Sequence, residues 1–245
     1  MGKLMQALNT RMDTGDLGGN LERGTSRCGI DFFDYMNGRF DREGKLSTGL
    51  ANGKIAYLAG YSGSGKSSMA IQIGWNIVKD DDDAQLIIED CERSNSHFRV
   101  AQLAGIPYAE YAEKFEEGKV RLINSGTSTN QLIALLRGLY ETKMNVIGGV
   151  DFTKKGTSDT TDWRKVRENI VDMPPTVVMV DSWALLAPSK VDDSGNLRGN
   201  MDAPQIAKAN NALIKQCADW LYDANIILII VNHILMQTTA LPCAA

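Results

Sequence analysis

An α/β fold, a mostly parallel sheet with helices on both faces, is the class this sequence predicts, and three observations predict it. Short apolar runs recur along the chain, each continuous rather than alternating, which is how strands buried on both faces read. Helical patterns separate these runs, as in a sheet built from strand–helix–strand units. A glycine-rich loop, Gly60 to Ser67 (GYSGSGKS), joins the first long run to the helix that follows it.

In chain order, residues 1–28 are expected to form a flexible arm, polar and glycine-bearing apart from Leu4, Met5, Leu8 and Met12 at helical spacing. Gly29 to Gly38 (GIDFFDYMNG) follows as an apolar, turn-rich segment. Ile55 to Ala59 is the first buried strand, and Met69, Ala70, Ile73 and Ile77 mark a helix over Ser68–Lys79. Gln85–Ile88 is the second strand, ending in Glu89, Asp90 and Glu92. Helices are expected over Ser94–Gly105 and Tyr108–Gly118, a third strand at Val120–Ile123, and an amphipathic helix over Asn130–Lys143. Residues 144–175 are irregular around a small helix near Trp163–Ile170. Thr176–Val180 is the fourth strand, closing on Asp181-Ser182, and a polar loop from Pro188 to Pro204 leads to a long helix over Gln205–Tyr222. Ile226–Val231 is the fifth strand, followed by Asn232-His233. Residues 29–245 are expected to be one domain.

Bulk composition narrows the function. The 245 residues are 43% hydrophobic and 23% charged, ordinary for a globular chain. A net charge of −4 gives no general attraction to nucleic acid, so any such contact must come from local basic positions. Cys28, Cys91, Cys217 and Cys243 form no C-x-x-C pair, which argues against a zinc site or a disulfide framework and fits a cytoplasmic protein. The first residues lack a signal-peptide core, Gln6 spoils a myristoylation pattern, and the run Ile226–Val231 is too short to span a bilayer. No membrane association is expected.

The loop carries the first chemistry. Gly60, Gly65, Lys66 and Ser67 occupy the fixed positions of G-x-x-x-x-G-K-[ST], with Tyr61, Ser62, Gly63 and Ser64 between them and Ser68 after. Backbone N–H groups and a helix N-terminus converge there on an anion, so a nucleoside triphosphate is the expected ligand. In a parallel sheet, ligands sit beyond the carboxyl ends of the strands. Those ends carry the Asp90/Glu92 cluster, Asp181-Ser182 and Asn232-His233. Magnesium keeps several waters and needs few protein ligands, so Ser67 and Asp181 suffice for it. Hydrolysis also needs a group that orients water, and Glu92 and Glu89 compete for that role. His233 stands where a γ-phosphate sensor would.

In this order and spacing the motifs resemble the RecA/RadA family of recombinases, most closely the phage UvsX-like branch, from about Gly29 to His233. GIDFFDYMNG and GLANGKIAYLAG look like the family's lead-in to its phosphate loop. IIEDCE is similar to its strand ending in Asp-x-Glu, which implies Glu92 as the catalytic glutamate. VVMVDSWALLAPSK resembles the Walker B strand and the start of the first DNA-binding loop, which VDDSGNLRGNMDAPQIAKANN continues. IILIIVNHI looks like the strand that carries the γ-phosphate sensor, here His233.

The resemblance implies a RecA-like P-loop core that hydrolyses ATP with Mg2+ between neighbouring subunits and assembles into filaments on single-stranded DNA. Lys66 would reach the β- and γ-phosphates, Glu92 would polarise water, and Lys190, Arg198 and Asn200 would contact DNA. Phe98 or Arg99 would pack on adenine. The chain departs from the family by stopping twelve residues after His233, near the second DNA-binding loop, in the uncharged LMQTTALPCAA. The first DNA-binding loop is lightly charged, with Lys190 and Arg198 against Asp192, Asp193 and Asp202. Three alternatives to a recombinase are a hexameric helicase of the same core fold, a recombinase paralogue that binds ATP with little turnover, and a small-molecule kinase.

Overall fold

The computed structural model describes residues 23–40, 44–124, 128–152, 161–186 and 203–234, with backbone alone for 203–207. The elements run β1 (Thr25–Ser26), α1 (Asp31–Met36), β2 (Arg39–Phe40), β3 (Leu46–Ser47), β4 (Leu50–Ala51) and β5 (Ile55–Gly60). They continue through α2 (Lys66–Val78), β6 (Gln85–Asp90), α3 (His97–Ala104), α4 (Tyr108–Glu116) and β7 (Val120–Ile123). Last come α5 (Thr129–Val146), α6 (Trp163–Ile170), β8 (Thr176–Asp181), α7 (Ala203–Asp223) and β9 (Ile226–His233).

The continuous apolar runs became a five-stranded parallel sheet in the order β5-β9-β8-β6-β7. Alternation within each run divides its side chains between two faces. Val178 and Val180 join Leu132, Leu136, Leu213 and Cys217 under α5 and α7. Val177 and Met179 join Ile71, Ile73, Val100 and Tyr111 under α2, α3 and α4. Each fully buried aliphatic side chain stabilises the fold by roughly 1.5–3 kcal/mol before entropy is counted, so the two cores dominate stability. The expected fold class is the one observed. At Gly74 α2 lies so close to the sheet that a Cβ would come within 2.7 Å of Leu86, which accounts for a glycine inside a helix.

The lead-in differs from expectation. Gly29 to Gly38, expected to be turn-rich, contains the helix α1, and the Asp34 carboxylate inside it accepts the backbone N–H of Cys28 at 2.7 Å. Residues 23–28 of the expected arm are packed, while residues 1–22 lie outside the described residues. Thr25–Ser26 pairs antiparallel with Leu50–Ala51, and Cys28 is wholly buried. The Arg23 guanidinium donates to the carbonyls of Tyr222, Ile170 and Asp223, and burial lowers its pKa to about 10. The packed region therefore starts at Arg23.

Candidate functional site

Strand β5 delivers the chain to the phosphate loop and α2 carries it away. Gly63 and Gly65 take φ of +74° and +80°, the left-handed region, and a Cβ at either would meet nothing within 4 Å. Backbone conformation rather than space demands glycine there. Gly65 is the N-cap of α2 and offers no side chain, so the first amides of the helix keep no capping acceptor. Lys66 is buried, and its Nζ donates to the Tyr61 carbonyl at 2.6 Å and to Ser64 Oγ at 3.4 Å. Both partners are uncharged, so the ammonium lies over its own loop with its charge uncompensated by them.

Parallel register brings the other strand ends level with the loop. His233 on β9 stands opposite Gly60 on β5, and the Ile234 N–H donates to the Gly60 carbonyl at 3.0 Å. Asp181 on β8 stands opposite Val231 on β9 and Asp90 on β6. One strand, β9, therefore separates the phosphate loop from Asp181.

Past β6 the chain turns tightly. The Glu92 N–H donates to the Asp181 carbonyl, Arg93 takes a φ of +53°, and the Asn95 N–H donates to Asp90 Oδ2 at 2.6 Å. This turn carries the Glu92 side chain across the end of β8, where its Oε1 meets His233 Nε2 at 2.7 Å. Two residues 141 positions apart are thus joined beside Gly60. Glu89, the competing carboxylate, is buried within β6 in register with Val180 and Ile123, back from the strand end.

The electrostatics of the two carboxylates diverge. Burial pushes Glu92 up, but the Ser182 hydroxyl, the bonded His233 and the Lys66 charge outweigh it and hold Glu92 below the usual carboxylate range. Asp181 is pushed up, first by burial and then by the charges of Glu92 and Asp90, with partial relief from Ser67 and Asn95. Neither Asp181 oxygen has a hydrogen bond of full geometry, although the residue is wholly buried. Two such oxygens beside the Ser67 hydroxyl suit a hard cation that brings its own waters, so the residues present fit Mg2+.

Among the other expected site residues, Arg99 donates from Nη2 to Ser68 Oγ at 3.2 Å, so it reaches the start of α2. Phe98 is exposed and lies 6.1 Å from the Tyr108 ring, turned from the core that an apolar-face Phe usually joins. Lys190, Arg198 and Asn200 lie outside the described residues. The structure adds Asn95 and Ser182, both buried beside the carboxylates. Ser182 follows a strand-ending Asp and was open to notice, whereas no local pattern marks Asn95. Among the described residues no helix is long and apolar enough to cross a membrane.

No family model matches the sequence, and no curated protein matches it. Among solved structures, one ATPase domain is similar at 14% identity and a TM-score of 0.47, over 97% of this chain and 73% of that one. That similarity is slight, and the functional reading rests on this chain's own residues.

Proposed function

We propose that this chain is a RecA-like ATPase that hydrolyses ATP with Mg2+ and acts on single-stranded DNA as a filament-forming recombinase. One observation carries the hydrolytic part: Glu92 and His233 meet at 2.7 Å beside the first glycine of the phosphate loop. A loop that only bound nucleotide would need neither.

Each residue has a distinct task. Amides of residues 61–68 bind the phosphates, and Lys66 swings from the Tyr61 carbonyl onto the β- and γ-phosphates. Ser67 and Asp181 hold the cation, and bound Mg2+ screens the charge that builds on the transferred phosphoryl group. Glu92, kept ionised by Ser182, His233 and Lys66, orients the attacking water and accepts its proton. His233 donates to Glu92, so a shift of the imidazole toward a phosphate moves the base as well. Sensing and water activation would then share one hydrogen bond.

The DNA-related part rests on the resemblance of the stretch from Thr176 to Asn211 to the family's Walker B strand and first DNA-binding loop. ATP turnover with and without single-stranded DNA tests it, alongside electron micrographs with a slowly hydrolysed ATP analogue. Stimulation by DNA and filaments support the recombinase. Rings favour the helicase reading, and tight ATP binding with negligible turnover favours the paralogue. Turnover in folded protein that ignores DNA sinks the DNA-dependent reading.

A further inference from the structure

The amino-terminal ends of β6 and β8, opposite the phosphate loop, open onto a groove of about 1170 Å3. Helix α5 supplies one wall, where Ala134, Leu135, Leu139 and Ile147 are apolar. Lys143 lies on the same wall and plays no part in the hydrolytic site. Its Nζ donates to the Pro174 carbonyl at 2.7 Å and to Thr176 Oγ1 at 3.0 Å. Neither partner is charged. An ammonium has three protons to place and a neutral amine two, so these two acceptors satisfy the amine and leave its lone pair unused.

Surrounding charge favours the same state. Burial lowers the Lys143 pKa to about 7, the Arg23 cation adds to the lowering, and only Asp81 opposes it. The remaining charges at the groove are largely occupied with one another. Lys119 donates to the Asp81 carbonyl and Lys114 pairs with Glu117 at 3.7 Å, while Asp82 and Asp83 flank the mouth.

We propose that Lys143 is a reactive amine that captures uncharged aldehydes with an apolar body, forming an imine within this groove. The nitrogen lone pair attacks the carbonyl carbon, and the two amine protons leave with the carbonyl oxygen as water. A carbon–nitrogen double bond replaces the carbon–oxygen one, and nothing is oxidised or reduced. The Thr176 hydroxyl, an acceptor for the amine, can turn to donate to the imine nitrogen. The apolar wall of α5 takes the body of the aldehyde. The site lies at the opposite end of β6 and β8 from Asp90 and Asp181, so it does not rest on the ATPase reading.

The test uses the full chain, benzaldehyde as probe and cyanoborohydride to trap the imine, with peptide mass mapping of every lysine. At pH 7.5 an ordinary lysine with pKa near 10.4 is only about 0.1% neutral, so Lys143 is expected to label about tenfold faster than the average lysine, even allowing for its weaker basicity. Its labelling rate should have a midpoint near pH 7 and should saturate with benzaldehyde concentration. Lys143→Arg should lose this label and keep the affinity for ATP. In unmutated protein, labelling no faster than average, a midpoint near 10, or a rate linear in benzaldehyde would each overturn the proposal.

Discussion

The two ends of the sheet bury charge in opposite ways. At the amino ends, Arg23 commits its guanidinium to three carbonyls and Lys143 its amine to two acceptors. At the carboxyl ends, five of the eight buried side-chain atoms without a partner, counted among the described residues, sit on Asp90, Asn95, Asp181 and Ser182. Buried polar atoms are ordinarily bonded, and each exception calls for a reason. The difference teaches that the amino ends are completed by the protein itself, whereas the carboxyl ends are shaped for something the protein binds.

Substitutions can break this contrast, and the largest expected effect is at Glu92. Replacing Glu92 with Gln keeps its size and its contact with His233 but removes the base. Turnover should fall by roughly 10²–10⁴-fold in steady-state ATPase assays. A smaller effect on stability is expected from Arg23→Ala, which strands three carbonyls. It should cost about 2–3 kcal/mol, read as a lower midpoint in urea.

Asp181→Asn should move stability the other way. A carboxylate with a raised pKa favours the fold while protonated, and that contribution is lost as pH rises through its folded value. At neutral pH, Asn should therefore stabilise the metal-free protein by about 1 kcal/mol, or 2–4 °C by calorimetry, while Mg2+-dependent nucleotide binding weakens. An unchanged or lower melting temperature would contradict the picture of an uncompensated buried charge.

The subtlest effect is on pH dependence. Glu92 has a depressed pKa, so its stabilising contribution exists above the ordinary glutamate value and is lost as pH falls through the folded value. The acid limb of the rate should thus lie below the usual carboxylate range. His233→Ala removes one of the interactions that depress it, so that limb should move to higher pH.

The sheet was legible because continuous apolar runs and helical periodicity survive in a single sequence. Gly60 to Ser67, Asp181 and His233 were legible for the same reason, since each is set by where a strand ends. Glu92 was not separable from Glu89 by alternation. Its placement depends on a turn with Arg93 in the left-handed region, which a non-glycine residue does not advertise. Helix α1 escaped because six residues rich in exposed aromatics carry no amphipathic stripe. Arg23 escaped because one arginine bonded to distant carbonyls leaves no pattern along the chain. Lys143 sits in an amphipathic helix, where a lysine reads as solvent-facing until the groove is seen.

The most direct test of the hydrolytic site is a paired measurement on Glu92→Gln: the ATP dissociation constant in Mg2+ and single-turnover hydrolysis on the same sample. Binding within about threefold of the parent protein, with hydrolysis reduced at least about a hundredfold, is the predicted result. Hydrolysis at the parental rate with binding intact would contradict the assignment of Glu92, and with it the meaning given to its contact with His233.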